Sequence, residues 1–270
     1  LQHGYRNWLA TKPETMAGHA PTYYATTFPP PRSQRRGDQY GNYTFDQSAP
    51  LVEGTYQAVL GSAQCAITAA NLILNNQRAV YALCRPPGHH AGKDFSGGYC
   101  YFNNTAIAAK MLSARGRVAI LDVDYHHGNG TQDIFYDDDR VLTISIHADP
   151  SWEYPYFLGY VDEIGSGKGE GFNLNIPLPK RTDGTVYFAA LDRAITRIRD
   201  FDPWALVVAV GFDTFDGDPI SQFALKTADY TTIAQRIRSI NLPTVVVQEG
   251  GYNTEALGRN AVAFLNPFVE

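Results

Sequence analysis

The sequence predicts an α/β fold: one doubly wound parallel sheet with helices on both faces. Two observations carry this. Short, nearly unbroken apolar runs recur at 79–84, 117–121, 141–146, 172–177, 206–210 and 244–248, as expected of strands buried on both faces. Between most of them lie longer stretches whose apolar residues repeat at helical spacing. A third observation sets the domain count. There is no internal repeat and no second hydrophobic pattern in the 270 residues, and single α/β domains of roughly 200–250 residues are routine, so 1–270 is taken as one domain.

Residues 1–53 are turn-rich and aromatic, with Pro29-Pro30-Pro31 and the basic Arg32, Arg35 and Arg36. A stretch that long without periodicity is either an interaction arm or a solvated loop; the α/β core then runs over 54–270. From Glu53 to Gln77 the spacing predicts a helix that Asn75-Asn76 ends. The strand 79–84 empties into Arg85-Pro86-Pro87-Gly88-His89-His90, and Asn103 is placed to cap a helix from Thr105 to Arg115. A short helix is expected over 131–136, a loop rich in Tyr, Gly and acids over 150–171, and helices over 182–200, 227–240 and from Thr254 onward.

Hydrophobic residues make up 44% and charged residues 18% of the chain, with net charge −5. That balance gives no electrostatic case for nucleic acid or an anionic membrane as partner. Cys65, Cys84 and Cys100 are odd in number and sit in apolar segments, which suggests reduced core thiols of a cytoplasmic protein. No signal-peptide pattern opens the sequence, and no apolar run approaches the roughly 18 residues of a membrane span.

The chemistry concentrates at Asp122-Val123-Asp124-Tyr125-His126-His127-Gly128-Asn129-Gly130. Burying two carboxylates and two imidazoles behind an apolar strand is too costly without compensation. On an extended chain Asp122, Asp124 and His126 would share one face. A divalent metal compensates such a face; the plainer alternative is a salt-bridged strand end with satisfied core histidines. Asp213, after the strand 206–210, is the third candidate ligand, or else a turn residue beside Thr214. His89 and His90, behind a rigid Pro-Pro-Gly turn, suit general base and acid work near a metal, or are simply surface histidines. Asp122 and Asn129 are candidate acceptors that orient those imidazoles. Tyr252, on Gly250-Gly251, could donate a hydrogen bond to a developing oxyanion, or be a half-buried loop aromatic. In a parallel sheet all these strand ends share one rim.

Arg-Pro-Pro-Gly-His-His-Ala (85–91), Gly-Gly-Tyr-Cys-Tyr-Phe-Asn-Asn (97–104), Asp-Val-Asp-Tyr-His-His-Gly-Asn-Gly-Thr-Gln-Asp (122–133), Gly-Phe-Asp-Thr-Phe (211–215) and Glu-Gly-Gly-Tyr (249–252) together resemble the zinc-dependent histone deacetylase superfamily. Within it, Asp149-Pro150, Phe157-Leu-Gly-Tyr160 and the stretch Asp213–Ser221 are most similar to bacterial acetylpolyamine amidohydrolases. The resemblance implies an arginase/deacetylase-like fold and a hydrolase that removes acetyl groups from acetylated polyamines or related small amines. Alternatives are an acetyl-lysine deacetylase acting on protein and, in another class, a catalytically silent acetyl-amine binder.

It further implies Asp124, His126 and Asp213 as ligands of zinc, with iron(II) fitting nearly as well. His90 becomes the base, His89 its neighbour held by Asp122, and Tyr252 the group that polarises the carbonyl. Tyr99 and Tyr154 would flank a substrate tunnel, and a structural potassium ion would sit near Asp122, Asp124, His126 and Ser145. Many histone deacetylases have Asp where this chain has Asn129, which should leave His90 less basic. The resemblance also implies a homodimer whose entrance is narrowed by residues 20–50 and 150–171. It includes an N-terminal strand and helix with no match in this sequence.

Overall fold

A computed structural model describes residues 22–23 and 43–269. Much of the expected arm, including Arg32, Arg35 and Arg36, lies outside the described residues. A two-residue strand β1 (Thr22–Tyr23) pairs antiparallel with β2 (Leu51–Val52). There follow α1 (Thr55–Leu74), β3 (Ala79–Ala82), α2 (Asn104–Leu112), β4 (Val118–Asp122), α3 (Asn129–Phe135) and β5 (Val141–Ala148). The chain continues through β6 (Asn173–Leu178), α4 (Gly184–Phe201), β7 (Ala205–Val210), α5 (Thr227–Arg238), β8 (Thr244–Gln248) and α6 (Thr254–Val269).

The expected sheet forms: six strands in the order β3-β8-β7-β4-β5-β6, every pair parallel. Every residue of β4, β5, β7 and β8 is buried, which is why those strands read as unbroken apolar runs. The sheet separates two cores. On one face Ala66, Ala70, Ala109, Leu112 and Phe135 of α1–α3 pack against Val118, Ile120, Val207 and Val245. On the other, Leu191, Ile195, Ile198, Ile233 and Phe264 of α4–α6 pack against Leu121, Ile144 and Val208.

From β4 the chain steps outward to β5 through α3 on the first face; from β7 it steps the opposite way to β8 through α5 on the second. The carboxyl ends of β4 and β7 are neighbours, and so flank the point where strand order reverses. That is where open α/β sheets form their crevices.

Three expectations need correcting. The helix α1 spans 20 residues with a mean hydropathy of 1.3, long and apolar enough to cross a membrane by length and composition; interspersed Ser, Thr, Gln and Asn hid this when only unbroken apolar runs were counted. Its buried residues Val59, Ala63, Ala66, Ala70 and Ile73 recur at helical spacing and dock it on the protein core, the pattern of an amphipathic core helix. Cys65 is exposed on that helix, while Cys84 and Cys100 are buried. The continuous extended face at 122–126 does not exist either: β4 stops at Asp122. Beyond it the carboxylates of Asp122 and Asp124 each accept the backbone N–H two residues on, at 3.1 and 2.8 Å. Asp side chains favour such turns over further strand.

Candidate metal centre and active site

Those two turns aim the side chains. Asp124 and His126 leave β4 toward Asp213, which follows β7, and one donor atom from each of the three lies within 4.8 Å of the others. All three residues are buried. His126 Nδ1 is 3.1 Å from Asp213 Oδ2 and 3.4 Å from Asp124 Oδ1. Asp124 Oδ2 also accepts the Gly250 N–H at 2.9 Å, and Asp213 Oδ1 the Tyr125 N–H at 3.1 Å. At Gly211 a Cβ would overlap Asp124 Oδ2, so glycine there is what lets the two carboxylates close on one point.

The electrostatics are those of a site short of positive charge. Burial and the facing Asp124 push the Asp213 carboxyl up to about 7. Against the cost of burial, the two carboxylates raise His126 to about 10. Two oxygens and one nitrogen, buried and crowded together, fit a divalent cation that keeps further positions open. These three residues could hold a metal ion.

The histidine pair stands beside this cluster. His89 Nδ1 lies 2.9 Å from Asp122 Oδ2 and its Nε2 is 3.8 Å from Asp124 Oδ1. Although burial opposes it, Asp124 and Asp122 hold His89 well above the usual imidazole range. His90 Nδ1 lies 2.6 Å from Asn129 Oδ1. An amide oxygen only accepts, so Nδ1 carries the proton and Nε2 is left as the basic nitrogen. Burial, then His89 and His126, hold His90 well below the usual range. The two rings, 4.0 Å apart, are thereby pushed in opposite directions, a division suited to acid–base roles.

Aromatic rings wall the approach. The Tyr154 ring is 5.0 Å from that of His90 and 6.0 Å from that of His126. Tyr99 adopts a left-handed conformation, with φ 65°, and its ring is 5.7 Å from that of Tyr252. Burial, then Asp213 and Asp124, raise the Tyr252 phenol above its ordinary value, so it stays protonated and able to donate. Asp122 and Ser145, two of the four residues expected around a monovalent cation, line one small buried cavity. The side chains of the other two, Asp124 and His126, turn away to Asp213. His147 lies inside β5, between Ser145 Oγ and the Gly159 carbonyl.

Several acidic residues do more than the sequence disclosed. Asp46 accepts the Tyr154 hydroxyl at 2.6 Å and the Gly98 N–H at 3.0 Å. Asp218 accepts the N–H groups of Tyr252 and Asn253. Glu153 accepts the Tyr125 hydroxyl, and Glu163 Oε2 accepts Gln132, Gly159 and Asn175. Glu153 and Glu163, two acids of the 150–171 loop, are both engaged in fixing it. Glu249 is buried and accepts three donors. Each partner is distant in sequence or reached through the backbone, so no spacing rule would have found them.

Comparison with known proteins gives a consistent picture. The chain is 50% identical to acetylpolyamine amidohydrolase 1 of Pseudomonas aeruginosa, over 99% of this chain and 78% of that protein. It is 43% identical to the acetylpolyamine amidohydrolase of Mycoplana ramosa, over 97% of this chain and 80% of that one. The crystal structure of the acetylpolyamine aminohydrolase of Burkholderia pseudomallei superposes with a TM-score of 0.94 at 41% identity, covering 99% of this chain and 80% of that one. Residues 6–267 match the histone deacetylase domain, and the chain belongs to that family.

Proposed function

We propose that this protein is a metal-dependent amidohydrolase that removes the acetyl group from acetylated polyamines or related small amines. The observation that carries this is the meeting of Asp124, His126 and Asp213 beside two imidazoles, His89 bonded to Asp122 and His90 bonded to Asn129. The relatives that match nearly the whole chain at 43–50% identity point to the acetylpolyamine substrate.

Asp124, His126 and Asp213 would hold the cation, zinc by preference with iron(II) a close second for this donor set. When bound, such a cation supplies Lewis acidity toward water and the acetyl carbonyl. His90 takes the proton of the attacking water at Nε2, its tautomer fixed by Asn129, and returns it to the leaving amine. His89, held by Asp122, contributes positive charge beside the reacting carbonyl. Tyr252 donates its hydroxyl to the carbonyl oxygen as negative charge develops there. Tyr99 and Tyr154 flank the acyl-amine on its way in, and a potassium ion near Asp122, Asp124, His126 and Ser145 has a structural role.

The chain acts as one domain, 1–270, in the cytoplasm and as a homodimer. Exposed Tyr156, Phe157 and Val161 support the 150–171 loop as the surface that narrows the entrance. The test is a parallel assay of zinc-loaded protein on acetylputrescine, acetylspermidine and an acetyl-lysine peptide. The small amines should turn over faster; dominant peptide turnover would sink the polyamine assignment.

A further inference from the structure

Glu249 is a buried carboxylate that the steps above do not use. It directly follows β8, is 6% exposed, and points back beneath the histidine loop. Its Oε2 accepts the N–H of Gly88 at 2.6 Å and of His89 at 3.0 Å, while Oε1 accepts the Thr105 hydroxyl from the first turn of α2 at 2.7 Å. The other side of the loop is tied elsewhere. The His89 carbonyl accepts the N–H groups of Gly130 and Thr131, and the Ala91 carbonyl accepts Asn103 Nδ2 at 3.0 Å. Carbonyls are thus anchored to the helix starts of α2 and α3, and two consecutive N–H groups to one oxygen of Glu249. That oxygen fixes the 88–89 peptide plane, and with it the direction in which His89 leaves the backbone toward Asp122.

The same short segment reaches two other parts of the site. The Gly250 N–H is bonded to Asp124 Oδ2, and Tyr252 follows two residues later. A carboxylate in this place costs desolvation, which burial makes plain by pushing its pKa up to about 7. An apolar residue would avoid that cost but leave two buried N–H groups without an acceptor.

We infer that Glu249 is a positioning residue for the His89–His90 pair, clamping the Gly88 and His89 N–H groups so that the histidines, a candidate metal carboxylate and Tyr252 are held in one frame. The inference rests on the amidohydrolase reading for its kinetic half only.

Three substitutions separate a clamp from a charge. E249Q retains a carbonyl oxygen at full reach; E249D retains the charge but is one methylene short; E249A retains neither. A misplacement of about 1 Å can cost on the order of 100-fold in rate. E249A and E249D should therefore lose about that much kcat on an acetylated diamine with KM and metal content unchanged, while E249Q recovers most of it. Amide hydrogen exchange at Gly88 and His89 should quicken in E249A and E249D but not in E249Q, with or without metal. Activity kept by E249D and lost by E249Q would make the charge the agent and overturn the clamp, as would unaltered exchange in E249A. Should E249A fail to fold, the contrast between Gln and Asp decides the matter alone. Wild-type protein that releases no acetate, while exchange follows the stated pattern, supports the clamp and overturns only the assigned reaction.

Discussion

His90 shows how burial and three neighbours can set the working range of one side chain. Burial and the neighbouring His89 and His126 depress it, and Asn129 offers its Nδ1 an acceptor without a counter-charge. A base held below its ordinary value is already deprotonated at neutral pH, so the acid limb of the kcat/KM profile should lie below about 6.5. N129D puts a carboxylate at the same point, which favours imidazolium; that limb should move to higher pH by roughly one to three units. A profile that stays in place would remove His90 from the role of base. Tyr252 makes a simpler case, since its raised phenol stays protonated and able to donate throughout the working range. Y252F should lower kcat by roughly 100- to 1,000-fold, the usual loss for one oxyanion donor, with metal content unchanged by elemental analysis. At this scale the sequence picked out residues that the structure gathers around Asp124, His126 and Asp213, because they cluster after strands. It did not disclose Asp46, Asp218 or Glu249, whose partners include backbone N–H groups and hydroxyls many residues away.

Strand ends are the elements that decide the site. β4 and β7 are neighbours in register, with Asp122 opposite Ala209, so whatever follows them must share space. The apolar runs predicted both strands within a residue or two. Where β4 would stop was not legible, since an Asp-X-Asp-X-His pattern serves an extended chain and a pair of Asp turns equally well. Side-chain hydrogen bonds to the backbone decided for the turns. Gly211 carries the consequence: a Cβ there would overlap Asp124 Oδ2 and press on Asp213 Oδ1. G211A should therefore spread the two carboxylates and weaken divalent-metal affinity by roughly 10- to 100-fold, the range seen when ligand orientation is lost. The sheet itself should survive, because β7 is otherwise unchanged. Competition with a chelator measures the affinity; an unaltered constant would show that the two carboxylates do not share an ion.

Over the whole molecule, the sheet that brings these ends together also buries several histidines, and this links folding to pH. His90 and His127 are held well below the ordinary imidazole value, and His147 is depressed to about 4. For His147 the cause is burial, which its bonds to Ser145 and Gly159 only partly offset. The fold class was legible because it follows from which segments are apolar. This linkage was not, because it depends on which polar residues those segments enclose. The sign follows from where the proton binds. Between pH 6.5 and 4 the unfolded chain protonates His147 and the folded chain does not, so acid draws the equilibrium toward unfolding. The contribution is present in full above pH 6.5 and is lost as pH falls through about 4. A fall from 6.5 to about 4 in the folded protein makes this on the order of 3 kcal/mol. Asp213 and Glu249, each raised to about 7, slope the other way over most of that window, so the wild-type curve alone does not isolate the effect. The difference between wild type and H147Q does. Denaturant titrations of the metal-free proteins should give parallel stabilities above pH 7, and below pH 6.5 the wild type should fall by about 3 kcal/mol more than the variant. Equal slopes for the two proteins would mean that His147 titrates in the folded state as it does in water, and that the enclosed face of β5 is open to protons.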